Sequence, residues 1–136
     1  MENNTAPWPQ LEAAAAAALS KAYAPYSNFR VGSAALTSDG RLVSGCNIEN
    51  AAYGVTLCAE CSMVGELFAT GGGTLDYFVC FGQLGDGPLE LITPCGRCRQ
   101  LLFEHRGRNL QIKLAQGIVG IDYLLPEAFG PHNITA

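Results

Sequence analysis

Positive charge is scarce in this chain. Eight lysines and arginines stand against twelve acids, which leaves a formal net charge of -4 at pH 7. The basic residues lie scattered, with nothing denser than the Arg97–Arg99 and Arg106–Arg108 neighbourhoods. A polynucleotide partner needs clustered Lys and Arg to neutralise its phosphates. Nucleic-acid binding is therefore not expected, and an editor of polynucleotides is disfavoured with it. Long apolar runs are missing too. None reaches the about 20 residues that cross a bilayer, so no membrane partner is expected. The Ala13–Ala18 run has no basic segment before it, since residues 1–12 hold Glu2 and Glu12 but neither Lys nor Arg. A secretory signal needs such a segment, and alanine is the best helix former, so the run reads as helix. With no export signal the expected location is the cytoplasm. There the six cysteines are thiols or metal ligands rather than disulfides. Charged residues make up only 15% of the chain and apolar ones 49%. That suffices for the core of one domain, 1–136, with apolar surface left to be buried between subunits.

The residue pattern predicts the order α-β-β-α-β-α-β-β. Residues 8–23 read as a helix, with Pro9 in its first turn and Pro25 ending it. Two β-rich runs, 29–37 and 41–47, are joined by Ser38-Asp39-Gly40, a hairpin signal. A polar loop, Asn47 to Gly54, leads to an apolar-periodic helix over 57–70 that stops at Gly71-Gly72-Gly73. Residues 76–82 are almost all apolar, as in a buried central strand. After a turn at 85–88, Pro94 precedes a helix over about 95–106. Strands follow at 110–115 and 118–121, then a short helical turn at 123–127. Strand–helix–strand units favour parallel pairing with helices on both faces. The last two strands are separated by Gln116-Gly117 alone, too few residues for a parallel crossover, so they pair antiparallel. The fold class expected is α/β, a three-layer α-β-α sandwich around a mixed five-stranded sheet.

Two Cys-x-x-Cys pairs carry the chemistry: Cys58-Ala59-Glu60-Cys61 and Cys95-Gly96-Arg97-Cys98. Each sits where a helix is expected to begin, and a helix N-terminus favours thiolates. Zn2+ suits tetrahedral sulfur sites. Cys58 and Cys61 share a helix face at i, i+3 and Glu60 does not, which alone does not separate a four-cysteine site from a three-cysteine catalytic one. Spacing favours the closed structural site, the common outcome of paired Cys-x-x-Cys. Glu60 points another way. A His or Cys, one residue, then Glu, followed later by Pro-Cys-x-x-Cys, is the pattern of zinc deaminases. It is met here by Cys58-Ala59-Glu60 and Pro94-Cys95-Gly96-Arg97-Cys98. Three ligands leave a fourth position open for water, whose pKa zinc lowers, and a nearby carboxylate can carry the proton.

Five segments spread over Ala22 to Pro131 make the chain resemble the cytidine deaminase family, of the small homotetrameric type. They are Pro25–Gly32, Gly45–Tyr53, Cys58–Glu60, Pro94–Gln100 and Leu124–Pro131. The resemblance implies hydrolytic deamination of cytidine and 2′-deoxycytidine in pyrimidine salvage. It implies Cys58, Cys95 and Cys98 as zinc ligands and Glu60 as proton shuttle. It also implies that Asn47 and Glu49 bind the ribose hydroxyls, that Phe29 packs on the pyrimidine and that Ala59 touches substrate. Phe129 would be supplied across a subunit boundary, and Tyr53 would serve a neighbouring site. Plainer readings stand beside these. Phe29 in a strand is ordinarily a core residue, Asn47 and Glu49 can turn or cap a loop, and Phe129 can be a packing anchor. Cys46 and Cys80 read as small buried residues, and His105 as a helix-end residue. One departure concerns position 61, where the family often has Arg and this chain has Cys. Arg97 or Arg99, with the two helix N-termini, would then temper the net charge of -1 on a three-thiolate zinc. Rival functions are deamination of another aminopyrimidine nucleoside such as blasticidin S, and a non-catalytic four-cysteine zinc module.

Overall fold

The computed structural model describes residues 6–135, so positions 1–5 and 136 of the expected domain lie outside the described residues. Helix α1 (Trp8–Leu19) is followed by β1 (Phe29–Thr37) and β2 (Leu42–Cys46), then α2 (Ala59–Ala69), β3 (Leu75–Leu84) and a two-residue β4 (Glu90–Leu91). Next come α3 (Gly96–Glu104), β5 (Arg106–Leu114), β6 (Gly117–Gly120), α4 (Ile121–Leu124) and α5 (Pro131–Ile134). The sheet runs β2-β1-β3-β5-β6, with β4 added to β3. It is mixed as expected, and β5–β6 is antiparallel. Parallel pairing is confined to β3–β5. The unit β2-α2-β3 does not pair, because β1 lies between its two strands, antiparallel to both.

Alternation along the strands sends side chains to two cores, as a half-buried pleat demands. Val79 and Phe81 of β3 pack with Ala34 against Trp8, Leu11, Ala15 and Leu19 of α1. Phe78 and Cys80 face the other way, towards Met63 and Leu67 of α2 and Leu102 of α3. The result is the predicted α-β-α sandwich. Fully burying side chains such as Phe78, Leu11 or Leu67 contributes about 1.5–3 kcal/mol each. Helix α2 lies close on β2 at Gly45, where a Cβ would come within 2.4 Å of the Met63 nitrogen and 2.5 Å of the Ala59 oxygen.

Several boundaries differ from the sequence reading. Helix α1 stops at Leu19 rather than 23, because Tyr23 leaves to form a bridge with Ile48. Its N–H donates to the Asn47 oxygen and its carbonyl accepts from Glu49. Strand β5 starts at Arg106, four residues early, and β3 runs on to Leu84. The short turn expected at 123–127 is centred on Ile121–Leu124. Neither β4 nor α5 was expected. Cys80 is fully buried, as read, but Cys46 is only half-buried. His105 does cap a helix end, with its ring 5.2 Å from that of Phe68.

Candidate metal centre

Two helix starts meet at one end of the sheet. Cys58 is the N-cap of α2 and Cys95 the N-cap of α3, so both thiols lie where unpaired backbone N–H groups point. Cys98 sits one turn into α3, buried. The sulfurs of Cys58, Cys95 and Cys98 lie within 4.8 Å of one another, with Cys58 and Cys95 3.9 Å apart. A tetrahedral zinc with Zn–S bonds of 2.3 Å sets its sulfurs about 3.8 Å apart. The donor set and its spacing therefore fit a zinc ion. Cys61 does not join the group. Its backbone N–H donates to the Cys58 carbonyl at 3.0 Å, and its side chain is half-buried one turn further round α2.

Glu60 stands in the first turn of α2 and is 3% exposed. Burial raises the pKa of its carboxyl, opposed by its own backbone N–H and by the thiols of Cys98 and Cys80. The thiols also hold one another in check. Burial raises Cys98 far above the ordinary thiol value, helped by the charges of Glu60 and Cys58. Burial raises Cys58 as well. At Cys95 burial pushes upward too, but the backbone N–H groups of Cys98 and Arg97 and the neighbouring thiols outweigh it and lower the value. Metal binding must displace the protons that burial holds on Cys58 and Cys98.

A cavity of about 260 Å³ opens beside these groups, lined by Phe29, Asn47, Ala59 and Glu60 among others. Phe29 is half-buried rather than a core residue. A Cβ at Gly82 would come 2.5 Å from its ring, so glycine there makes room for it. Asn47 is buried, accepts from the Val31 N–H at 2.8 Å and donates to the Phe29 carbonyl at 3.0 Å. Those bonds leave one amide N–H and part of the carbonyl for another partner. Glu49 lies in an adjoining hollow with Tyr26, Ser27 and Tyr53, and the two hollows meet at Thr56. Its carboxylate accepts from the Ser27 hydroxyl and from the N–H groups of Tyr26 and Ser27, at 3.0 and 3.2 Å. The Ser27 hydroxyl, first among these, holds the Glu49 pKa low.

Tyr53 and Phe129 do not line the metal cavity of their own chain. They are 80% and 61% exposed, and Phe129 borders a separate hollow with Phe103 and His132. The expected help from Arg99 at the sulfurs is not there. Its guanidinium donates to the carbonyls of Pro94 and Leu124 and to the Thr93 hydroxyl, tying the loop before Cys95 to α4. Arg97 is exposed. The helix N-termini remain as the source of positive potential. Val31, Thr56, Leu57, Ile92 and Thr93 also line the cavity and were not singled out by sequence. Val31 follows Phe29 by two and so shares its face of β1, a signal that was available. Ile92 and Thr93 come in through tertiary packing alone.

Comparison with known proteins bears on this arrangement. Residues 9–114 match the family model described as the cytidine and deoxycytidylate deaminase zinc-binding region. The chain is 50% identical over 127 residues to the cytidine deaminase of Mycobacterium tuberculosis, covering 93% of this chain and 92% of that one. Its fold is similar to the crystal structure of that organism's cytidine deaminase, with a TM-score of 0.84 and 49% identity over 92% of this chain and 98% of that one. The cytidine deaminase of Mycobacterium leprae is comparable, with a TM-score of 0.82 and 51% identity over 90% and 99%.

Proposed function

The chain belongs to the cytidine and deoxycytidylate deaminase family, and from that membership we propose that it hydrolyses cytidine to uridine and ammonia on a zinc ion held by Cys58, Cys95 and Cys98. The observation that carries this reading is the convergence of three sulfurs and one buried carboxyl on a single cavity. Zinc bound there supplies a Lewis acid that makes water nucleophilic near neutral pH. Glu60 takes a proton from the attacking water and passes it to the ring nitrogen beside the amino-bearing carbon. It then carries a proton to the departing amine. Its burial suits the task, since a raised pKa makes the carboxylate a stronger proton acceptor. Phe29 offers its ring to the flat base, and Ala59 forms part of the wall beside it. Asn47 and Glu49, on either side of Thr56, hold the ribose hydroxyls, an amide and a carboxylate covering donor and acceptor needs. The family resemblance extends this reading to 2′-deoxycytidine.

The resemblance further supports a cytoplasmic homotetramer working in pyrimidine salvage. Tyr53 and Phe129 would complete the sites of neighbouring subunits, in keeping with their exposure and with their absence from the walls of the metal cavity. No helix among the described residues is long and apolar enough to cross a membrane. An absorbance assay of cytidine, with and without a chelator, tests the reading, together with the variant Glu60→Ala. The expected outcome is one zinc per chain in the variant and turnover reduced by at least about a thousandfold, the upper range for a general acid–base and electrostatic group. Near-normal turnover in Glu60→Ala would sink the assignment.

A further inference from the structure

Phe129 is 61% exposed, so its ring is aimed only as well as its backbone is held. The stretch that carries it, 125–130, lies between α4 and α5 and outside both. Glu127 in that stretch takes a left-handed φ of 52°, which residues other than glycine adopt sparingly. Helix α3 supplies what holds the stretch in place. At its start the Arg99 guanidinium donates to the Leu124 carbonyl at 3.0 Å. At its end the Gln100 side-chain amide donates to the Phe129 carbonyl at 2.8 Å. Gly130 is buried against α3, where a Cβ would come 2.6 Å from the Phe103 ring. The Arg106 guanidinium braces that ring in turn, 3.8 Å from its centroid. Gln100 and Phe103 stand three residues apart and so share one face of α3. That face grips Phe129 and Gly130 by their backbone and leaves the Phe129 ring free.

We propose that Gln100 is the positioning residue for Phe129, clamping its backbone so that the ring is presented to the cavity of a neighbouring subunit. The inference rests on the reading above in which Phe129 completes that cavity. A hydrogen bond between exposed groups adds little to stability, so the contribution of this one is geometric. An aromatic ring meets a flat base well only in a narrow range of orientations. With the Phe129 carbonyl released, the ring must be ordered anew each time substrate binds, and that ordering is taken from the affinity. Gln100 itself is exposed and is not among the residues lining the metal cavity. Its loss therefore acts on substrate binding in the neighbour and not on the chemical step in its own subunit.

Two substitutions and a mixing experiment test this. Gln100→Ala removes the donor, and Gln100→Glu keeps the length but sets a carboxylate against the carbonyl. Each is expected to raise KM for cytidine about threefold or more, with kcat within about twofold and one zinc per chain retained. In a Phe129→Ala background the same substitutions are expected to change KM by less than about twofold, since the ring they position is gone. Tetramers reassembled from Gln100→Ala and Glu60→Ala chains contain cavities with Glu60 from the first and a clamped Phe129 from the second. Those cavities should work at the wild-type KM. Unchanged KM in Gln100→Ala, a loss confined to kcat, a further rise in KM of about threefold on top of Phe129→Ala, or a raised KM at every mixing ratio each overturns the proposal. The last of these would place the effect in the cavity of the chain that carries Gln100. No turnover of cytidine by the wild type would sink the deaminase reading, and a wild-type KM in Phe129→Ala would remove that ring from the site; either takes this inference with it. With both readings standing, a wild-type KM in Gln100→Ala overturns the inference alone.

Discussion

At the scale of single residues, Cys61 and Glu60 make opposite demands although they are neighbours in the same turn. Cys61 lies outside the group of three sulfurs, so Cys61→Ala should retain one zinc per chain and kcat within about twofold, as expected of a substitution away from the reacting groups. Metal analysis and the cytidine assay check this; loss of zinc would restore the four-cysteine site. Glu60 sets a pH dependence on the metal-free protein. Burial raises its pKa in the folded state above the ordinary 4.5. Below 4.5 both folded and unfolded chains carry the proton, and burial of the group costs little. As pH rises through the folded value, the folded state must either hold the proton or bury a charge, and stability is lost. Glu60→Gln removes that penalty. In chelated protein its melting temperature should exceed that of wild type near pH 8, and the gap should close as pH falls below 4.5. A gap independent of pH would assign the effect to packing instead. The sequence already carried most of this centre. Cys58, Glu60, Cys95 and Cys98 stand in two short local patterns at helix starts, and local patterns are what a sequence displays. Cys80 was legible as a small buried residue, and its bond to the Ile92 carbonyl, which depends on tertiary packing, was not.

Among the elements, α1 and the strand β5 teach why boundaries were harder to read than types. The alanine run favours helix through residue 23, yet Tyr23 gives its N–H and carbonyl to the Asn47–Glu49 segment. A long-range pairing overrides a local propensity. The same bridge places Asn47 at the cavity, so the early end of α1 has a functional result. Helix α2 carries Cys58 and Glu60, and its height above the sheet is set by Gly45. Gly45→Ala would drive a Cβ into the backbone of Met63 and Ala59, so the helix must move. The expected cost is about 1–3 kcal/mol of stability, accompanied by weaker zinc binding, because the first turn of α2 moves with it. Gly32→Ala is the matched control. There a Cβ would meet the Ala15 oxygen at 2.1 Å and the Leu19 nitrogen at 2.5 Å, on the α1 side of the sheet. A similar loss of stability is expected, about 1–3 kcal/mol, with zinc affinity unchanged. Urea denaturation and competitive zinc titration of both variants check the contrast. Equal effects on zinc would mean that α2 does not position the metal ligands independently of the rest of the fold.

For the whole molecule, the arrangement of exposed aromatic side chains is the feature that one chain leaves unexplained. Tyr26 and Tyr53 stand more than half exposed in the hollow that adjoins the cavity, and Phe129 stands exposed beside a separate one. Large apolar groups left in water mark surfaces meant for contact. A homotetramer in which each cavity borrows Phe129 from a neighbour accounts for both observations. It was expected from resemblance, and no local pattern in the sequence could have supplied it, because a contact between copies leaves no periodicity in either. Stacking of an aromatic side chain on a base contributes about 1–3 kcal/mol. Phe129→Ala should therefore raise KM for cytidine by about tenfold or more, with one zinc per chain retained. Mixing then decides whose cavity the ring serves. Glu60→Ala chains keep Phe129 but cannot turn over, and Phe129→Ala chains keep the chemistry but lack the ring. If the ring crosses the boundary, tetramers reassembled from both contain cavities with Glu60 from one chain and Phe129 from the other. Those cavities should work at the wild-type KM, and the mixture should show a low-KM component that neither parent has. If the ring served its own chain, every active cavity in the mixture would lack it, and the raised KM would persist at all mixing ratios.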